Sequence, residues 1–488
     1  MFKKNNKLEH APRATAVNMA KGTARMFLAE LLFLPTGLVT AVFLARTLGP
    51  VDYGLFSLLA LLVVWVEGNT NSVFTNVSVK IIGEEKDWKA VSATVIRIYL
   101  TIGSLTGVLF FFLAEPLSEL LNEPSLVFYI QVFSVDILLT AICCANRNIL
   151  IGRGFFTETA LIKTCTLLAR LGLIILFVEL GFSFFGAVLG LLGATTVNFF
   201  ISTYFARPAI FQKRCISTKR IFDIGAPLFF SQLAINMIGL HFFILKIAGA
   251  GPEQIGYFGA ALNLSIPPSL FAMTLSTTLY STVNRMQALG EKKEAQKMIF
   301  MALRSVFFLF PFAFMSAGLS EEIVLVIYGN KFLPSAPILA LMIFVPIVFL
   351  INHIAKIVLI VNDKSAITLF LTIPVLIVAA VGHILYTSVY KGVGAAGVTL
   401  AAGSFGVCIA YFFMYKTWRI KIPVKTLVTS VVSSAIAYST ADFIHVTGFL
   451  VFPKIIIISS LIIVTFYLAG EFKDDEIKFA KLLIKRNK

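Results

Sequence analysis

The chain has 488 residues, 58% of them hydrophobic and only 14% charged, with a mean hydropathy of +0.90 and a formal net charge of +16. A soluble domain is nearer half apolar and a quarter charged, so this composition excludes an ordinary soluble enzyme. Apolar runs of about 20 residues, the length at which a helix crosses a bilayer, recur from end to end. They are continuous rather than alternating, which predicts an all-α polytopic membrane protein and not a barrel.

The N-terminal arm "MFKKNNKLEHAPRATAVNMAKGTAR" is basic and lacks the apolar core of a cleavable signal. The first apolar run, from about Met26, therefore reads as a spanning helix. Fourteen spans are predicted, near 23–45, 54–78, 91–113, 125–146, 158–179, 184–206, 223–247, 257–282, 297–318, 336–360, 365–387, 394–416, 424–444 and 451–470. Span 1 carries Glu30 and Pro35, with Arg25 at its inner end, and runs into "ARTLGPVDYGLF", where Gly49-Pro50 and Gly54 predict a hairpin turn. Span 2 holds "VEGNTNSVFTNVS", including Glu67, Asn69 and Asn71. Asp136 falls in span 4 and Arg170 in the middle of span 5. Span 7 adds Ser231, Gln232, Asn236 and His241 and ends at Lys246. Span 8 contains Pro267-Pro268, which is expected to break the helix. His353 and Lys356 lie in span 10, and the tail "FKDDEIKFAKLLIKRNK" fits a short basic amphipathic helix on the inner surface.

Most of the Lys and Arg residues lie in the N-terminal arm, the even-numbered loops and the tail. The odd loops hold only Arg46, Lys246, Lys331, Lys391 and Lys454. The positive-inside rule then places both termini in the cytoplasm, and the charge reads as a topology signal and an attraction for anionic lipid, not for nucleic acid. The five cysteines and five histidines are scattered without metal-ligand spacing, so neither a disulfide nor a metal site is expected. "GVGAAG" (Gly392, Gly394, Gly397) matches a dinucleotide fingerprint by letter, but no strand precedes it and no acid follows about 20 residues on. The dipeptide Gly-Lys is absent from the chain, so there is no phosphate-binding loop for ATP. No nucleophile constellation is present, and an enzyme is not expected.

The chain partly matches itself at a shift of about two hundred residues. Gly49-Pro50-x-x-x-Gly54-x-Phe56 returns as Gly251-Pro252-x-x-x-Gly256-x-Phe258. Gly83-Glu84-Glu85-Lys86-Asp87 returns as Gly290-Glu291-Lys292-Lys293-Glu294, and Gly181, Gly186 and Leu189 return as Gly392, Gly397 and Leu400. The matches keep their order, which predicts two six-span halves of the same orientation: 1–221, 222–420, and a remainder 421–488 with two further spans and a basic tail.

Amides and hydroxyls cluster in spans 1, 2, 7 and 8, the matched pairs of the repeat. Unsatisfied polar groups in hydrocarbon cost several kcal/mol, so these helices are expected to face one another or a wet cleft. Arg25, Arg46, Asn69, Asn71, Gln232, Asn236 and Lys246 are the candidate cavity residues. Glu30 and Glu67 are candidates for a coupling cation, Na+ or H+, or for buried pairs with a neighbouring Lys or Arg. Arg46 and Lys246 would neutralise a phosphate or snorkel to the outer interface, and Arg97 and Arg304 are read as inner-leaflet snorkels.

Four stretches, "ARTLGPVDYGLFSLLAL", "NRNILIGRGFFTETALI", "IYGNKFLPSAPILALMIF" and "GVGAAGVTLAAG", resemble the oligosaccharide-lipid flippases, the O-antigen and capsule-repeat translocases of the multidrug/oligosaccharidyl-lipid/polysaccharide exporter superfamily. The resemblance implies two six-helix bundles around a central cavity lined by helices 1, 2, 7 and 8, with cationic side chains in it. It further implies a polyprenyl-(pyro)phosphate-linked oligosaccharide as substrate, moved from the cytoplasmic to the outer leaflet of the plasma (inner) membrane by rocking of the halves. Its partners would be that lipid-linked glycan, the surrounding lipids and other polysaccharide-assembly proteins, with no cofactor. The rival readings are a cation-coupled multidrug or metabolite extruder of the same architecture and, ranked last because every odd loop is short, a membrane glycan polymerase or ligase.

Overall fold

A computed structural model of the protein describes residues 25–26, 28–84, 87–208, 241–362 and 365–471, and these are helical almost throughout, with no strand among them. Eight helical stretches among the described residues are long and apolar enough to cross a membrane. Three of these, Leu28–Asn71, Phe156–Ala206 and Thr372–Trp418, are each interrupted by a non-helical residue, Gly49, Gly181 and Lys391 respectively, so each carries two of the predicted spans. The predicted span 7 lies mostly outside the described residues, as do Gln232, Asn236 and the basic tail. The chain divides into two compact units, Met1–Ile247 and Ala248–Lys488.

The first unit contains α1 (Phe33–Glu84), α2 (Trp88–Phe112), α3 (Ala114–Leu120), α4 (Val127–Gly152), α5 (Phe156–Phe177), α6 (Ser183–Ala206) and α7 (His241–Ile247). Helix α4 is the hub: α1, α2 and α6 all pack against it, while α5 runs along α6. Phe74, Ile81, Val91, Val95, Ala141 and Ile149 form the core that joins α1, α2 and α4. Asp87 starts α2 by accepting the Ala90 N–H at 3.3 Å, the role expected of an N-cap aspartate.

The second unit contains α8 (Pro252–Leu264), α9 (Pro267–Ala288), α10 (Lys292–Gly318), α11 (Ser320–Ile327), α12 (Ala336–Met342), α13 (Val345–Val361), α14 (Ser365–Gly382), α15 (Ser388–Trp418), α16 (Val424–Phe443) and α17 (Val451–Leu468). The Pro267-Pro268 break is present, separating α8 from α9 at Ser265-Ile266. Ile266 keeps helical dihedrals (φ −66°, ψ −39°), and the two prolines remove two N–H donors from the helix at this point.

Each unit repeats the same local breaks. In the first, α2 stops at Leu113 and continues as the short α3; in the second, α10 stops at Leu319 and continues as the short α11. Later, a π-helical turn (Val178–Phe182, and again His383–Thr387) leads to a residue in an unusual conformation: Ser183 at φ 48°, ψ −127°, and Lys391 at φ 47°, ψ −124°. Gly186 and Gly394 follow three residues later, and a Cβ on either would strike backbone, Phe177 O at 2.7 Å and Tyr386 O at 2.5 Å. The repeat is therefore in the backbone, but its register here pairs Gly186 with Gly394. The letter match of Gly186 with Gly397 is three residues out, because glycine, alanine and valine recur so densely in "GVGAAGVTLAAG" that letters alone do not fix the register.

Two residues leave the places expected of them. Arg304 is no snorkel: its Nη2 donates to the Glu471 carbonyl at 2.6 Å and to Glu471 Oε2 at 3.2 Å, and Thr426 Oγ1 donates to the same carboxylate at 2.6 Å. Lys454 is not in a loop but inside α17, buried. Its Nζ donates to Glu322 Oε1 and Oε2 at 2.9 and 2.8 Å, to Ala441 O at 2.7 Å and to Ile444 O. These two clasps, one at each end, tie α16 and α17 to α10 and α11. Pairing of this kind is one way a lysine or arginine is kept within a spanning segment.

Candidate functional site: a cavity in the first unit

Inside the first unit lies a cavity of about 530 Å³, lined from five directions. Met26, Ala29, Glu30 and Phe33 come from the start of the first helical stretch, and Asn71 and Thr75 from the second arm of α1. Thr140, Cys143, Cys144 and Arg147 come from α4; Thr159, Lys163 and Thr166 from α5; and Asn198 and Ser202 from α6.

Helical spacing explains why these side chains converge. Residues three, four, seven, eight and eleven apart share a face. Glu67, Asn71, Thr75 and Ser78 form such a stripe on α1, as do Asp136, Thr140, Cys144 and Arg147 on α4, and Thr159, Lys163, Thr166 and Arg170 on α5. At 1.5 Å per residue each stripe runs for about 16 Å, roughly half the hydrocarbon thickness. At one end Lys163 Nζ pairs with Glu30 Oε1, with the side chains 36% and 57% exposed. Arg147 is exposed there and donates to Cys144 Sγ at 3.3 Å. Arg25 lies nearby in chain and space, its Nη1 donating to Thr157 Oγ1 at 3.1 Å. At the other end Glu67 and Asp136 are neighbours, with Thr140, Thr195 and the Arg170 guanidinium beside them. Arg170 thus meets protein and not lipid.

Between the two ends a hydrogen-bonded ladder crosses the bundle. Tyr99 OH donates to Asn71 O at 3.2 Å and lies 3.3 Å from Thr75 Oγ1, while Asn148 Nδ2 donates to Tyr99 OH at 2.9 Å. Behind it Asn146 Nδ2 donates to Ser202 Oγ and Thr203 Oγ1 at 3.2 and 3.0 Å. Among the described residues, the buried Glu67 Oε1, Asn71 Oδ1 and Asp136 Oδ1 find no hydrogen-bond partner. Such acceptors are costly in hydrocarbon and call for water, a proton or a cation.

Of the residues singled out from sequence, the structure brings Glu30 and Asn71 to the cavity, with Glu67 beyond its deep end. Asn69 is buried on the helix just beside it, its amide donating to Trp65 O at 2.7 Å. Arg46 is exposed at the end of the first arm of α1, away from this cavity's lining. Lys246 is 3% exposed and pairs with Glu123 at 2.6 Å, at the loop between α3 and α4. Arg147 and Lys163 line the cavity, although charge bias alone makes them inner-loop cations. The signal for them lies in the four-residue polar stripe on α5 and in its counterpart on α4.

The elements define an all-helical, integral, multi-pass membrane protein. The fold is similar to that of lipid II flippase MurJ in an inward closed conformation, with a TM-score of 0.75 at 16% identity over 95% of this chain and 100% of that one. It is also similar to an inward-facing multidrug resistance MATE family transporter of the MOP superfamily (TM-score 0.59, 14% identity, 87% of this chain and 99% of that one). A third likeness is to a mutant of the Vibrio cholerae MATE transporter VcmN (0.57, 17%, 84% and 98%). No curated protein matches the sequence at a significant level. The sequence profile described as "Polysaccharide biosynthesis protein" matches residues 43–337, and the chain belongs to that family.

Proposed function

We propose that the protein is a flippase that carries a polyprenyl-(pyro)phosphate-linked oligosaccharide from the cytoplasmic to the outer leaflet of the plasma (inner) membrane, for cell-surface polysaccharide assembly. The observation that carries this reading is the cavity of about 530 Å³ whose lining includes two cations, Arg147 and Lys163, in a member of a polysaccharide biosynthesis family. Sugar hydroxyls each cost several kcal/mol in hydrocarbon, and a phosphate costs more. A polar cleft that opens to one face and then the other lowers that barrier while the prenyl tail stays in lipid. Both termini are cytoplasmic in this reading, and the basic mouth opens to the cytoplasm. No ATP site is present in the sequence, so a cation gradient or consumption of the glycan outside gives direction. Glu67 with Asp136, buried beyond the cavity lining, is the pair we assign to the coupling ion, Na+ or H+.

Deleting the gene and measuring the sidedness of lipid-linked oligosaccharide tests the proposal. Lipid-linked oligosaccharide should accumulate in the cytoplasmic leaflet and clear when the gene is restored. If export is unchanged and sensitivity to toxic cations rises instead, the chain is an extruder of the MATE type.

A further inference from the structure

Among the ion pairs of the described residues, three differ sharply in exposure. In Lys246–Glu123 the side chains are 4% and 16% exposed, and in Lys454–Glu322 they are 6% and 11% exposed. Removing one partner from either would leave an uncompensated buried charge, so both pairs are permanent. Lys163–Glu30 is different. Its side chains are 36% and 57% exposed and both line the cavity, so it is a solvated pair of small net stabilisation that another anion can replace.

We infer that Glu30 is an internal counter-ion, occupying Lys163 until the diphosphate of the substrate displaces it. Three features of the cavity point to this. The two groups stand on different elements, Glu30 at the start of the first helical stretch and Lys163 on α5, so exchanging the partner of Lys163 removes one tie between them and leaves the Arg25–Thr157 hydrogen bond. Arg147, on α4, lines the same cavity with its guanidinium exposed and in contact with a cysteine sulfur, ready to share the incoming anion. Two cations and one carboxylate leave one positive charge in excess, which an empty cavity tolerates in water. A diphosphate carries at least two negative charges, bridges Lys163 and Arg147, and forms charge-assisted hydrogen bonds stronger than the pair it replaces. The carboxylate fills the cation site when substrate is absent and leaves when it arrives. The inference rests on the reading of the substrate as a diphosphate-linked lipid.

The test is binding, measured separately from transport. The full chain is reconstituted in neutral-lipid nanodiscs and titrated with undecaprenyl pyrophosphate, inorganic pyrophosphate and uncharged undecaprenol. Parallel discs containing phosphatidylglycerol show whether ordinary anionic headgroups compete. Glu30→Gln should tighten undecaprenyl pyrophosphate binding several-fold by freeing Lys163. Lys163→Gln should weaken it about tenfold, the scale of one lost charge-assisted bond, and Lys163→Arg should restore most of it. The double variant should behave as Lys163→Gln does. If Glu30→Gln weakens or does not change binding while the protein keeps its wild-type melting temperature, the counter-ion role is overturned. If Lys163→Gln binds like wild type, the anion site is overturned even though the flippase reading stands. If inorganic pyrophosphate binds as tightly as the lipid and needs Lys163, the counter-ion site stands and the lipid-linked substrate falls.

Discussion

Gly49 and Gly251 occupy the same place in the sequence repeat, each followed by a proline, yet the backbone uses them differently. Gly49 alone joins the two arms of α1, at φ 74° and ψ 177°, a region that is essentially closed to residues with a Cβ. Gly251 sits at φ −68°, ψ 163° as the N-cap of α8, and the positive φ of the second copy has moved to Gly249, at 85°. A Cβ would meet nothing within 4 Å at Gly49 or Gly251, so space does not separate the two and conformation does. Gly49→Ala is expected to cost about 1–3 kcal/mol, whereas Gly251→Ala should change stability by less than about 1 kcal/mol. Thermal unfolding of the purified protein in detergent, followed by tryptophan fluorescence, checks the pair; equal losses would mean that the two turns are equivalent after all. The sequence makes the turn legible at this scale, through Gly-Pro, but not which glycine bears the strain, because that depends on how many residues the two helix ends leave between them. The polar stripe Thr159, Lys163, Thr166 and Arg170 is the opposite case, since its 4-3-4 spacing is readable in the letters.

Among the elements, ion pairs play two roles, and burial separates them. Lys454 Nζ bonds to four oxygens, and Glu322 also accepts the Val446 N–H at 3.0 Å. That cluster fixes α17 against α11 and the end of α16 in the second unit. In the first unit Lys246 and Glu123 similarly hold α7 to the loop after α3. Lys454→Met and Lys246→Met should each lower stability by about 3 kcal/mol or more, the usual cost of orphaning a buried charge. Pairing Lys454→Met with Glu322→Leu should recover part of the loss, because it removes both charges. Melting curves of the single and double variants decide this, and an unchanged melting temperature for Lys454→Met would show that the cluster is not structural. Local sequence puts Lys454 in an outer loop because a charge beside "VFP" looks like a span end, and it makes Arg304 an inner snorkel for the same reason. Both errors arise from partners more than a hundred residues away in sequence, Glu322 and Glu471, which no local pattern reveals.

At the scale of the whole molecule, hydropathy and charge bias are long-range averages, and averages survive local errors. That is why the spans are legible from composition while the cavity is only half legible. Polar span 2 points to Asn71 and Glu67, but the walls from α4, α5 and α6 look apolar over a 20-residue window, their polar groups being one residue in three or four. The same averages make a prediction about orientation. By the alternation of spans, Lys and Arg concentrate on the side of the loop between α9 and α10, and the Gly49 turn belongs to the opposite side. Val51 (49% exposed) and Leu289 (64% exposed) are accessible positions at those two places. In a background with all five cysteines replaced, Val51→Cys should react with a membrane-impermeant maleimide in intact cells or spheroplasts. Leu289→Cys should react only after permeabilisation. The reverse pattern would turn the protein over in the membrane, put the Arg147 and Lys163 mouth on the outer face, and leave a cytoplasmic substrate with no basic entrance to the cavity.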